Sequence, residues 1–479
     1  MLVSIAILEV KLPAMRNLIL LSITLFICSI LSAQNNWQHG RIQVSANKHY
    51  LQYNDGTPFF WLGDTGWELF HRLTMPETEH YLTNRAAKGF TVIQAVLLAE
   101  FDGLRKPDQY GQLPLINMDP LQPNEVYFKR VDTVINLARS KGLVMGLLPT
   151  WGDKVLKMWG EGPQVFTVAN AYGYGLFLGK RYATYPNIIW ILGGDRPAIL
   201  DSVDTRPIWQ AMAKGIKEGS NGKALFSYHI SGGPNTTSKQ IHNENWLNIN
   251  MMQSGHGSGH DVPVWNWVTY DRSLQPTKPT LDSEPNYEDH PVNPWPKWDS
   301  ANGYFNDYDV RKQTYRSVFA GACGVTYGHH SVWQFYNARE EKINHAKMYW
   351  TEAIDRPGAT QMGYLKNLIL SHPSLNRVPD QSIIESGQGE KGEYITAFKD
   401  SLGRYLMVYL PVGKTVTIKT SGLKASTISA IWFNPANGKT THPGKLKRKD
   451  AMTFTTPTTG FGNDWVLILD DAGFSRKIP

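Results

Sequence analysis

The sequence predicts an α/β fold, a (β/α)8 barrel with a C-terminal antiparallel β-sandwich. Three observations carry that reading. From residue 59 to about 330, short apolar runs alternate with helical stretches, the order of a parallel sheet. Two of those runs end in an acid, Asn187-Ile-Ile-Trp-Ile-Leu-Gly-Gly-Asp195 and Lys278-Pro-Thr-Leu-Asp282-Ser-Glu284. A chain of 479 residues also exceeds one barrel, which takes roughly 250 to 400, so a second domain is expected.

The elements follow in order. Lys11 and Arg16 precede an apolar run over 18–31, and Leu31-Ser32-Ala33 before Gln34 offers the small residue a signal peptidase needs. Residues 1–33 therefore read as a signal peptide, with Met15 a candidate start, and the protein as exported to the periplasm or beyond. A signal anchor is the alternative, but the run is short against the roughly 20 residues of a bilayer span; after cleavage no membrane span is expected. Cys28 lies in the leader and leaves Cys323 alone, so the exported chain has no internal disulfide. The barrel is placed at 34–371, with strands at 59–63, 91–98, 143–150, 188–193, 224–229, 247–253, 279–283 and 324–329. Helices are expected at 76–88, 125–141, 168–184, 207–218 and 310–320, the first opened by the capping box of Thr74 and Glu77. The helix between strands five and six is the weakest, which keeps a doubly wound open sheet as the alternative. A helical stretch over 340–370 leads to residues 372–479, where Tyr394-Ile-Thr-Ala-Phe398 or Trp465-Val-Leu-Ile-Leu469 alternate as sandwich strands do. The net charge of +7 reads as a mild excess spread along the chain. Such a spread argues against a nucleic-acid partner and is compatible with an acidic polysaccharide.

Asp195 and Glu284 end strands four and seven. Facing positions of a barrel mouth can bring such carboxyls to the roughly 5 Å at which a glycosidase retains configuration. One acid is then held protonated to serve the leaving oxygen while the other stays ionised as nucleophile. Arg196 should depress the pKa of Asp195 if the side chains meet; alternatively Asp195 merely starts the next helix. Asp64, Trp67, Gln94, Trp151, Asp153, His229, His256, His329 and Trp333 crowd the same mouth, where aromatic faces beside hydrogen-bonding side chains suit a sugar. Arg196 is the candidate partner for a uronic acid carboxylate, with Arg105, Lys106 and Lys154 as substitutes. His256, His260, Asp261, His329 and His330 lack the spacing of a metal site, so no metal or cofactor is expected.

Phe60-Trp-Leu-Gly-Asp64-Thr-Gly-Trp67, Ile189-Trp-Ile-Leu-Gly-Gly-Asp195 and Asp282-Ser-Glu284-Pro285 together resemble the apiosidase-like family, glycoside hydrolase family 140, over roughly residues 40 to 370. The tail resembles the sandwich appended to that family under a collagen-binding label, which is not taken as a function. The resemblance implies cleavage of the bond between apiose and galacturonic acid in side chains of the pectin rhamnogalacturonan II, with Asp195 as acid/base and Glu284 as nucleophile. Other readings are a glycosidase of different sugar specificity, a non-catalytic carbohydrate-binding barrel, and a metal-dependent hydrolase using the histidines.

Overall fold

The computed structural model describes residues 36–474 apart from 161 and 234; the signal-peptide reading lies outside the described residues. Eight parallel strands make one sheet: β1 (Trp61–Thr65), β2 (Val92–Val96), β3 (Val144–Leu148), β4 (Ile188–Gly193), β5 (Phe226–His229), β6 (Asn250–Met252), β7 (Thr280–Asp282) and β8 (Gly324–Tyr327). Their order is β5-β4-β3-β2-β1-β8-β7-β6, so the sheet curls round until its two ends meet. The expected barrel is present, and the open sheet is not. At the β5/β6 seam no regular ladder forms. The Asn248 and Ile249 N–H groups donate to Phe226 O, and the Thr237 hydroxyl stands between the strands, 2.7 Å from Tyr228 O and 2.8 Å from Met251 O.

A strand covered on both faces reads as a continuous apolar run, which is why the barrel strands were visible in the sequence. Val92, Val96, Leu148, Ile189, Ile191, Met251 and Leu281 fill the interior. Their cluster continues into Ile42, Leu51 and Phe59 of a small antiparallel sheet (Ile42–Val44, Leu51–Tyr53, Pro58–Phe59), which closes the end of the barrel where the strands begin. The opposite faces, Leu62, Ile93, Leu147 and Leu192 among them, pack on the surrounding helices. These include Met75–Ala87, Glu125–Ser140, Val168–Arg181, Arg206–Gly219, Val264–Ser273, Asp307–Phe319 and Pro357–Leu370. The capping box of Thr74 and Glu77 is formed. Between β5 and β6 stands only the single turn Ser238–Ile241, and the stretch expected to be helical from 340 is helical only at Trp350–Ala353 and Pro357–Leu370. No described helix is long and apolar enough to cross a membrane. Cys323 is buried and unpaired, its thiol pushed up to about 12 by burial.

The C-terminal part is two antiparallel sheets. Six strands run in the order Arg377–Pro379, Thr396–Asp400, Tyr405–Leu410, Trp465–Asp471, Thr427–Phe433, Thr440–Lys447, and three more are Ile384–Ser386, Gly413–Lys419 and Ala451–Gly460. The larger sheet packs on the helix Asp307–Phe319. Tyr315 stacks on Tyr409 at 4.9 Å, Phe319 meets Phe398 edge-on at 4.8 Å, and Arg311 pairs with the buried Asp464 at 3.1 Å. One apolar cluster runs from the barrel's outer layer into Phe398, Met407, Tyr409, Val466 and Ile468. Deleting residues 372–479 would bare that face, so the truncated barrel is expected to aggregate or melt well below the full chain. Expression of both forms and their thermal unfolding check this; a soluble, fully active truncation would show that the sandwich does not support the barrel.

Candidate active site

The end of β4 turns sharply. Gly193, Gly194 and Asp195 take φ of 89°, 82° and 57° in succession, and this left-handed run lifts the Asp195 side chain to the mouth. A Cβ on Gly193 would lie 2.4 Å from His229 O, and one on Gly194 would lie 2.7 Å from Gly152 N, so only glycine fits either position. Asp195 tolerates the left-handed region better than most side chains do. It does not start a helix, since the next one begins at Arg206. Glu284 stands two residues past the end of β7. Both acids face one cavity of about 710 Å³, whose wall also includes Trp67, Trp151, Trp159, Gln253, His256 and Tyr287.

The two carboxyls sit in opposite electrostatic surroundings. Burial alone would raise Glu284, but hydrogen bonding from His229 and His256 outweighs it and holds the carboxyl down at about 2. His256 Nε2 lies 3.0 Å from Oε1, and His229 Nε2 lies 2.9 Å from Oε2, short of full hydrogen-bond alignment. The tautomer of His229 follows from its other nitrogen. Nδ1 accepts the Asp195 backbone N–H at 3.1 Å, so the ring proton sits on Nε2, facing Glu284. Asp195 moves the other way. Burial first, and then the negative charge of Glu284, push it up to about 7, against the pull of His229, Arg196 and a hydrogen bond from Trp159 Nε1 at 2.9 Å. Arg196 Nη1 stands 3.7 Å from the Asp195 carboxylate and does lower its pKa, but burial and Glu284 win.

Around the acids the wall is aromatic. Trp67 and Trp151 meet at 5.5 Å, the Trp67 Nε1–H donates to the Tyr287 hydroxyl at 3.3 Å, and Phe101, Trp295 and Trp333 complete the rim. Trp151 Nε1 and Gln253 Oε1 are buried on this wall without a partner, one donor and one acceptor, as a site for sugar hydroxyls requires. Glu100 adds a third carboxyl, kept well above the usual range by burial and the charges of Glu68, Asp195 and Asp153.

Comparison with known proteins fits this geometry. Residues 45–376 match the catalytic domain of the apiosidase-like family. The chain belongs to the apiosidase-like family of glycoside hydrolases. A solved structure described as a glycoside hydrolase is 33% identical, with 92% of this chain and 99% of that one covered and a TM-score of 0.83. A glycoside hydrolase family 5 protein from Bacteroides vulgatus ATCC 8482 is 32% identical over 92% and 95% of the two chains, with a TM-score of 0.84. Residues 378–470 match a family described as "Putative collagen-binding domain of a collagenase". Among curated proteins none matches.

In this hydrolase, the residues expected at the mouth divide into two groups. Trp67, Trp151, His256 and Trp333 lie on the cavity wall and His229 lies against Glu284. Others stand behind the wall. Asp64 points outward and is locked by Arg85 and the Tyr81 hydroxyl, both on the helix Met75–Ala87. Gln94 points into the barrel and donates to Ser283 O, buried beneath the mouth. Asp153 accepts the Gly162 N–H and pairs with Lys154, fastening the loop that carries Trp159. His329 caps the turn His330–Trp333 and contacts Asp289 at 3.1 Å. The histidines considered for a metal are each held by another group, His256 by Glu284, His260 by Asp309 and His330 by the Ile343 and Asn344 carbonyls, although His256 and His330 both pack on the His290 ring at 4.2 and 4.4 Å. Among the described residues no three His, Cys, Asp or Glu side chains gather into a metal-holding group.

Arg196 is the largest departure from expectation. It is fully buried, its guanidinium lies 4.3 Å from the Trp159 ring, and it donates to Leu156 O, Asp195 O and Trp159 O. Each of its three nitrogens donates to a backbone carbonyl of the chain, so it secures Asp195 and the Trp159 loop instead of greeting a carboxylate. Arg196→Met is therefore expected to lower kcat/KM on charged and neutral substrates alike, by tenfold or more. Kinetics on one substrate of each kind test this, and a loss confined to the charged one would return Arg196 to the substrate. Lys154 is likewise buried, against Asp153 and Ala99 O.

Proposed function

We propose that this exported hydrolase removes apiose from galacturonic acid in rhamnogalacturonan II side chains with retention of configuration. The observation that carries the reading is the split pair, Asp195 raised to about 7 and Glu284 lowered to about 2 within one cavity. At neutral pH Glu284 is ready to attack the anomeric carbon. Asp195 passes its proton to the departing glycosidic oxygen as that C–O bond breaks. Asp195, now a carboxylate, then takes a proton from water, whose oxygen displaces Glu284 and restores both acids. The apiose specificity draws its support from the family matched over 45–376. A second feature is consistent with it. The described cavity wall contains no Arg or Lys, so it suits a neutral sugar, with the uronic acid unit directed to the rim.

Incubation of the purified protein with rhamnogalacturonan II oligosaccharides, with product identification and NMR of the first-formed anomer, tests both parts. Free apiose in the starting anomeric configuration is expected. Release of a different sugar would remove the specificity, and an inverted first product would remove Glu284 as nucleophile.

A further inference from the structure

The charge excess is not spread along the chain, as the sequence first suggested. Residues 372–479 hold fourteen Lys and Arg against nine Asp and Glu, whereas the preceding residues hold 34 against 32. Within the sandwich the excess narrows further. The strand Thr440–Lys447 lies at the edge of the larger sheet, and the segment around it reads Lys439-Thr-Thr-His-Pro-Gly-Lys445-Leu-Lys447-Arg448-Lys449, five cations in eleven residues and no acid. Lys445 and Lys447 are two apart on a strand, so they share a face about 7 Å from one another. The turn after them is pinned to the neighbouring loop. The Arg448 N–H donates to Ser426 O at 2.8 Å, its Nε–H donates to Ala425 O at 3.0 Å, and the Thr420 N–H donates to Asp450 O at 2.8 Å. That pinning gathers Lys419, Lys424 and Lys449 at the same end of the sandwich.

Lys419, Lys424, Lys439, Lys445, Lys447 and Lys449 are all exposed, and among the described residues none of them enters an ion pair. The acids beside them are Asp450 and Asp471, and Asp471 is engaged by the Ala425 N–H at 3.1 Å. A single surface lysine is ordinary; five unpaired ones toward one end of the edge strand, with Lys439 at its other end, make a positive field along that edge.

We propose that this rim of the sandwich binds an acidic polysaccharide, a run of uronate units, separately from the cleavage site. The partner follows from two facts: a glycoside hydrolase meets polysaccharides, and among the described residues the cavity wall has no Arg or Lys to hold acidic units. The rim supplies the missing complement on an open strand edge long enough for several sugar units. The proposal rests on the carbohydrate reading but not on apiose specificity. Exposed lysines give contacts that salt screens, since the Debye length falls from about 10 Å at 0.1 M to about 3 Å at 1 M.

The test is affinity electrophoresis and calorimetry of the full-length protein with polygalacturonate. The variant is K445Q/K447Q/K449Q, and the fully methyl-esterified polymer is the neutral control. The parent and Glu284→Gln should bind alike at low salt and lose the polymer at high salt, the triple variant should bind at least tenfold more weakly, and neither should retain the ester. Turnover of a small oligosaccharide should be unchanged in the triple variant, which separates this site from the cleavage chemistry. Undiminished binding by the triple variant, no binding by the parent, or equal retention of the parent by anionic vesicles or duplex DNA would overturn the proposal. Failure to release apiose while polymer binding persists would count against the proposed function alone.

Discussion

Glu284→Gln is expected to abolish turnover and to leave oligosaccharide binding close to that of the parent. The amide keeps the shape of the side chain between His229 and His256, but it has no charge with which to attack. Removing a nucleophile from a preorganised site costs at least about 10⁴-fold in kcat. The cavity wall supplied by Trp67, Trp151 and Gln253 is untouched by the change, so calorimetric affinity for a substrate oligosaccharide should stay within a few-fold. A folded variant keeping more than a hundredth of the parent's kcat would remove Glu284 from the covalent role.

Asp195→Ala produces the second large effect, and its size depends on the leaving group. A natural sugar alkoxide departs poorly without a proton, so kcat/KM on oligosaccharides should fall by about 10² to 10⁴. An activated aryl glycoside needs little protonation, and its first bond-breaking step should suffer far less. The pH profile carries the same information. The active form has Asp195 protonated and Glu284 ionised. As pH rises through about 7 the Asp195 proton is lost and the parent's kcat/KM declines, while Glu284 remains ionised down to about 2. The alkaline limb should vanish in Asp195→Ala assayed on the activated substrate. Equal losses on both leaving groups, or an unchanged alkaline limb, would take the acid role from Asp195.

The barrel was legible because each strand is covered on both faces and so reads as an unbroken apolar run, Asn187-Ile-Ile-Trp-Ile-Leu being the clearest. The helix Val264–Ser273 was not, because Trp267 and Tyr270 set apolar side chains beyond the buried stripe of Val264, Trp265 and Val268, and the helix follows Pro263 without a capping side chain. At the site, a place at a strand's end fixes height and not direction. Asp64 lies at the mouth end of β1 as Glu284 lies just past the mouth end of β7, yet alternation turns Asp64 outward to Arg85. Trp159, Phe101, Glu100 and Trp295 escaped because they lie on loops, where no period shows which way a side chain faces. Tyr287 stood three residues beyond Glu284 and could have been taken from that spacing.

The β5/β6 seam bears on how the barrel yields. Most neighbouring staves are joined by backbone ladders, with β7 and β8 paired only at Asp282 and Val325, but here the Thr237 and Ser227 hydroxyls, the Asn248 side chain and a few loop amides bridge them. Protection from local opening follows the number of such bonds, so this joint parts more readily than the laddered ones. His229, which fixes the backbone of Asp195 and faces Glu284, is the last residue of the stave on one side of that joint, and Glu284 follows β7, beyond β6 on the other. A transient parting of the seam would thus draw the imidazole away from the carboxylate while the remaining staves stay joined, so the enzyme loses its charge pattern before it loses its shape.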